Sequence, residues 1–411
     1  MLVRVSHSAR LSDYRAALTT PGAGVPAIFS VLARMPIAMV GLSLLLYVQR
    51  ETGSFAIAGL VSAGSLVGVA AGAVIQGRIM DRRGPTGPLL VTTGLFVVAV
   101  VGVVLAVETG RPTAVIVLLG GTVGFTEPMV GSASRALWAH LVPAGPLRHA
   151  AYAYEAISME VFFILGPAVA GLLVAAPWAG TGVVLGAACM TLGGVGFALT
   201  GAVRAVRPDD SDRDLLGALA SAGMRTVALA ALGFGVTVGF VEVAVPAAAT
   251  KAGHAPLGGL MLALWSLSSV IFGVFYAMRP WPRAMHLRLP ALVGVFALLV
   301  APLSLMTSLL ALSIGLLVAG IWITPQSTTH STAIEIVAPR GTATEAFGWV
   351  VTAVTLGLAA GQSISGYLVE HVGVHASFLA SSGAGLAIAA LVWTRRGTVT
   401  TYAPARELVA A

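Results

Sequence analysis

Apolar stretches about 20 residues long, enough for a helix to cross the hydrocarbon core of a bilayer, recur along the whole chain between short polar or Pro/Gly breaks. They place spans near 25–48, 55–76, 88–107, 113–134, 150–174 and 181–203. A second set follows near 226–249, 257–278, 290–307, 309–330, 346–368 and 375–393. The predicted fold class is an all-α, polytopic membrane protein with twelve transmembrane helices in two six-helix bundles. Composition agrees: of 411 residues 57% are hydrophobic and only 9% charged, against roughly 25% charged in a soluble domain. A soluble enzyme is excluded.

The polar stretch 204–225, with Arg207, Pro208, Asp209, Asp210, Asp212, Arg213 and Asp214, divides the chain six spans from six. Its alternating signs read as a solvated linker. The expected organisation is a tail at 1–24, bundles at 25–203 and 226–393, the linker at 204–225 and a second tail at 394–411.

The net charge of +7 resembles that of a nucleic-acid binder, but the placement of the charges says otherwise. With a cytoplasmic N-terminus, 19 of the 23 basic residues fall in cytoplasmic segments. Arg50, Arg111 and Lys251 fall outside, and Arg34 falls within a span. That is a strong positive-inside bias, predicting a multi-pass protein of the cytoplasmic membrane with both tails inside and no nucleic-acid partner. Residues 1–24 and the long apolar run after them read as a tail and a retained first span, not a cleaved leader. Cys189 alone supports neither a disulfide framework nor a cysteine metal site.

Four ionisable residues sit deep in spans: Arg34 in the first, Glu127 in the fourth, Glu160 in the fifth and Glu242 in the seventh. Each costs several kcal/mol, from about 2.5 upward, unless it faces a cavity or a partner. One cation among three carboxylates leaves a surplus of negative charge. Arg34 is expected to pair with Glu127 or Glu160, leaving a carboxylate to bind a proton or a cationic substrate group. The tenth span carries Trp322, Thr324, Pro325, Gln326 and His330. Trp322 and Gln326, one turn apart, are expected to line a cavity with His330 deeper; Trp265 and Ser269 are weaker candidates. Aromatic rings among carboxylates suit an organic cation.

Between the second and third spans the chain reads Gly77-Arg78-Ile79-Met80-Asp81-Arg82-Arg83-Gly84-Pro85. Gly77 permits close helix approach, Gly84 a tight turn, and Asp81 with Arg82 a charge latch at the membrane face. This G-x-x-x-D-R-x-G loop, in a six-plus-six topology, resembles the signature of the major facilitator superfamily. Gly166-Pro167 and Gly171 in the fifth span resemble most of the G-P-x-x-G-G element associated with proton-coupled export there, with Ala170 and Phe162 as departures. A degraded copy of the loop would lie from Gly273 to Arg279-Pro280, and the arginine usual early in the fourth span is absent, leaving Arg34 as its substitute. The resemblance implies that spans one, four and seven line a central cavity, and that span two meets eleven and five meets eight across the halves. Small-residue rows Gly64-Gly68-Gly72, Gly357-Gly361-Ser365, Ser269-Gly273-Ala277 and Gly166-Ala170 would form those moving surfaces. It also implies a cytoplasmic gate of Asp81, Arg135 and Glu155, with a looser counterpart in Glu335, Arg340 and Glu345.

No P-loop, H-E-x-x-H or G-x-S-x-G motif is present, so the chain is expected to be neither an ATP-driven pump nor an enzyme and to need no cofactor or metal. The expected function is proton-coupled export of a small organic compound by a monomer working by alternating access, similar to bacterial drug or natural-product efflux pumps. The alternatives are proton-linked uptake of a sugar, nucleoside or similar metabolite and, more remotely, a non-transporting scaffold, sensor or lipid-handling protein.

Overall fold

Lipid supplies no water to serve exposed backbone groups, so a chain this apolar closes its hydrogen bonds within helices. A computed structural model of the chain describes residues 11–143, 146–206, 218–277, 284–339 and 343–399, and no strand forms among them. The short α1 (Leu11–Leu18) precedes a first membrane span built of two helices, α2 (Gly24–Arg34) and α3 (Ile37–Thr52). Then come α4 (Phe55–Arg83), α5 (Thr86–Glu108), a second broken span of α6 (Thr113–Thr126) and α7 (Val130–Leu141), α8 (Pro146–Leu173), α9 (Thr181–Leu199) and the one-turn α10 (Gly201–Arg204). The rest of the chain forms α11 (Ala222–Lys251), α12 (Ala255–Ala277), α13 (Met285–Val300), a third broken span of α14 (Leu309–Gly320) and α15 (Ile323–Val337), α16 (Ala343–His371) and α17 (Val374–Thr394). Among the described residues, eleven helical units are long and apolar enough to cross a membrane, the broken pairs counting as one each, and α8 adds the apolar stretch Ile157–Leu173.

The helices start within five residues of the sequence boundaries and end within seven of them, and continuity differs as well. In an uninterrupted helix Pro36, Pro128 and Pro325 would each lose a backbone hydrogen bond and press against the carbonyl four residues back. Proline alone does not dictate a break, because Pro167, Pro246 and Pro290 lie inside unbroken helices. Two of the three breaks are fixed by side chains reaching in from a neighbouring helix, described below.

Helices α2 to α10 pack on one another, as do α11 to α17, and the two groups meet where α4 crosses α16 and α8 crosses α12. These are the second-to-eleventh and fifth-to-eighth pairings, but the expected glycine rows do not make them. A Cβ on Gly64 would lie 3.0 Å from Val117 O, and one on Gly68 2.7 Å from Phe125 N, both across the α4–α6 contact within one half. Gly357 and Gly361 likewise face Val236 and Phe240 of α11, Gly166 faces Ala38 and Met39 of α3, and Gly273 faces Thr324 of α15. Glycine is required where backbones approach most closely, and those approaches lie mostly inside each half.

Between the halves the glycines are others. A Cβ on Gly59 would stand 2.5 Å from Gln362 O; one on Gly171 would stand 2.8 Å from Gly259 Cα. Both crossings sit toward the end of the molecule holding the 52–55, 173–181, 251–255 and 371–374 turns, hereafter the far end; residues 11–24 and 394–399 lie at the other, the tail end. The largest apolar cluster spans both halves and includes far-end residues such as Tyr47, Phe55, Val245 and Val369. Toward the tails each half keeps a separate core, one around Leu89, Val130 and Phe197, the other around Val227, Leu289 and Ile334. Among the described residues the halves are therefore joined at the far end and keep separate cores at the tail end. Gly259→Ala is expected to wedge the α8–α12 crossing apart at an overpacking cost of about 1–3 kcal/mol, lowering the unfolding midpoint and lengthening far-end distances between halves; unchanged values would mean that the crossing yields freely.

Candidate functional site

Arg34 ends α2 immediately before the first break, and its guanidinium is almost wholly buried, 2% exposed. Its Nη1 lies 2.5 Å from Glu155 of α8, itself 1% exposed. The other carboxylate oxygen of Glu155 accepts from Ser134 Oγ at 2.7 Å and from Trp138 Nε1 at 2.8 Å, both on α7. Arg34 Nε donates to Ser30 O at 3.3 Å, and the guanidinium stands 5.7 Å from the centre of the Phe162 ring. One ion pair thus ties the first, fourth and fifth spans together. The expected partners were Glu127 or Glu160. Glu155 takes that place because it lies on the α8 face that α2 and α7 cover, whereas Glu127 lies in the fourth-span break itself. The side chain of Glu160 lies outside the described residues. Phe162, a departure from the export motif, covers the cation.

Glu127 opens the gap between α6 and α7, in extended backbone with Pro128 and Met129 following. The gap leaves backbone groups without helical partners, and Gln76 of α4 supplies them. Its Nε2 donates to Phe125 O and Glu127 O, both at 2.9 Å, and its Oε1 accepts from Met129 N at 3.2 Å. The tenth-span break has a matching device: Ser269 Oγ of α12 accepts from Thr324 N at 3.1 Å and bonds Thr324 Oγ1 at 2.7 Å. The second span of each half thereby caps the broken helix beside it. Sequence reasoning passed over Gln76, whose signal was an isolated amide in an otherwise apolar run.

Glu127 is half-buried and forms no ion pair among the described residues. Glu242, midway along α11 and also half-buried, accepts from Gln362 Nε2 at 2.7 Å. Gln362 Oε1 in turn accepts from Ser62 Oγ of the other half at 2.5 Å. Nearer the far end, Glu370 of α16 accepts from Ala56 N at 2.9 Å and from the capping hydroxyl of Ser54. An anion from one half therefore sits at the helix N-terminus of the other.

The tenth-span polar run lies deeper than expected. Gln326 and His330 are fully buried inside the second half, Nε2 to Nε2 at 2.9 Å, with the His330 ring edge-on to Phe234 at 6.1 Å. They do not line the space between the halves in this conformation; α11, α12 and α13 close over them, Trp265 stacking on Phe296 at 6.4 Å. Trp322 is half-buried against Phe272.

Residues 27–361 match the model of the family described as the Major Facilitator Superfamily. The chain belongs to this superfamily. No curated protein matches it, but many solved structures share its fold. A mutant of the nucleoside transporter NupG aligns with a TM-score of 0.71 at 14% identity, over 90% of this chain and 99% of that one. A POT family transporter in complex with 5-aminolevulinic acid gives 0.69 at 14% identity, covering 93% and 97%. A bacterial homolog of the human lysosomal transporter Spinster, inward-facing and unoccupied, gives 0.67 at 13%, covering 96% and 100%. At these identities the likeness is one of fold.

In this superfamily member the loop signature is only partly a packing device. A Cβ at Gly77 would meet nothing within 4 Å, so Gly77 is not needed for close helix approach. Gly84 has φ +77°, which only glycine adopts at little cost, and a Cβ there would stand 3.3 Å from Val206 O. Arg82 and Arg135 are exposed, and the Asp81 side chain lies outside the described residues. In this conformation Glu155 is paired with Arg34 rather than with Arg135. The side chains of Glu335 and Glu345, and residues Arg340, Arg279 and Pro280, also fall outside the described residues.

Proposed function

We propose that this transporter exports a small organic compound across the cytoplasmic membrane by alternating access, driven by protons and working as a monomer without a cofactor or enzymatic step. The basic loops at the tail end support a cytoplasmic position for both tails. The halves, joined at the far end, are then in the inward-facing arrangement, from which an exporter loads.

One observation carries the reading. Arg34, the single cation deep in a span, is consumed by Glu155, so Glu127 and Glu242 have no cation to neutralise them among the described residues. Low-dielectric surroundings disfavour an uncompensated carboxylate, and such a group is relieved by taking a proton or a positively charged substrate. There are two of them, one in each half, and each is a group at which a proton and an organic cation compete. The half-buried Trp322 adds a face for an aromatic or cationic ligand.

Accumulation of fluorescent organic cations in cells expressing the protein tests this, with and without an uncoupler. Accumulation is expected to fall below that of control cells, to recover when the uncoupler is added, and to stay at the control level in Glu127→Gln. Accumulation that rises, or does not change, removes export of such cations and directs attention to uptake of neutral metabolites.

A further inference from the structure

We infer that Gln362 is a positioning residue that ties the carboxylate of Glu242 to the seam between the halves, so that engaging Glu242 loosens the far end. This rests on the reading that Glu242 takes up proton or substrate. The geometry is a three-member relay across the molecule. Ser62 of α4 belongs to one half, while Gln362 of α16 and Glu242 of α11 belong to the other. An ionised carboxylate only accepts hydrogen bonds, so the amide must turn its NH2 to Glu242. That leaves its oxygen for Ser62, whose hydroxyl then donates. The polarity of the whole relay is set by the charge on Glu242.

Two features make the relay consequential. Ser62 and Gln362 are both buried, so water does not readily replace a broken link. The crossing itself is bare: Gly59 lies against Gln362 O, and Gly366 against Phe55 and Ala56 backbone, with no side chains interposed. At such a crossing a single buried hydrogen bond is a substantial share of the lateral hold. When Glu242 is neutralised, by a proton or by a cationic group of the substrate, its bond from Gln362 loses its charge assistance and roughly half its strength. The amide is then free to turn, and Ser62 loses an oriented partner. Events at Glu242 thus reach the seam through one side chain, with the Glu370 contact as the outer fastening.

The test uses the full chain with Cys189→Ser and spin labels at Thr109→Cys and Ala252→Cys, exposed far-end positions on opposite halves. Distances are read by double electron–electron resonance in lipid nanodiscs. Glu242→Gln is expected to raise the ratio of long to short distances about three- to tenfold, the size expected when a hydrogen bond to a charged group loses half its strength. Gln362→Met should do the same and abolish any further effect of Glu242→Gln. Ser62→Ala, a mild change on the opposite half, should give a smaller rise that does not add to that of Gln362→Met. If Glu242→Gln still shifts the distribution in the Gln362→Met background, or if Ser62→Ala and Gln362→Met both leave it unmoved, the relay is wrong. Flux measured on the same variants separates the two claims. A Glu242→Gln protein with normal flux but an opened seam keeps the relay and discards the transport role of Glu242; the reverse result does the opposite.

Discussion

Glu155→Ala is expected to destabilise the protein by about 3–5 kcal/mol, because it leaves the Arg34 guanidinium buried without its counter-charge. The lost carboxylate also strands the donors Ser134 Oγ and Trp138 Nε1. The unfolding midpoint in detergent should fall sharply, and much of the protein should be lost on extraction. Removing both partners of a buried pair costs far less than removing one. Arg34→Met with Glu155→Met should therefore recover most of the stability, the stranded Trp138 indole N–H being the main residual cost. The double variant also separates structure from transport. If it is stable and transports, the pair serves only to pin α2, α7 and α8. If it is stable and inactive, the charges take part in the cycle. A double variant no more stable than Glu155→Ala would show that the pair is not the source of the loss.

The helices were legible in the sequence because lipid leaves few choices: an apolar run of the right length is a span, and the positions of charges and Pro/Gly breaks delimit it. The family was legible in one loop and a six-plus-six layout. Which deep charge meets which was not, because pairing depends on the face each residue takes, and a break resets that face. Arg34 lies just before one break and Glu127 within another, so helical phase counted along an unbroken span misassigns both. Glu155, read as a residue near the membrane face, instead reaches inward. The glycine rows failed for a related reason. Spacing of four locates a smooth helical face but not the neighbour that needs it, and here the closest neighbours lie in the same half. Gln76 and Gln362 carry no charge and match no motif, so only contact geometry brings them forward.

Gln76→Leu is the second large effect. Pro128, which has no N–H to donate and disfavours helical backbone at Glu127 before it, opposes rewinding of residues 125–129 when Gln76 is lost. Phe125 O, Glu127 O and Met129 N would then be left without the partner they now share. A buried polar group without a partner costs about 1–3 kcal/mol, so the loss should reach 3 kcal/mol or more, and the Glu127 carboxylate should no longer be held in place. Gln76→Glu discriminates between volume and hydrogen bonding. It preserves the size and the acceptor for Met129 N but turns a carboxylate oxygen on two carbonyls, and it should be at least as damaging as leucine. Ser269→Ala, at the matching break, removes a smaller set of bonds and should cost about 1 kcal/mol. The ordering of unfolding midpoints, wild type above Ser269→Ala above Gln76→Leu, checks the argument. A Gln76→Glu protein as stable and active as wild type would show that the break holds its shape unaided and that Glu127 is positioned by the backbone alone.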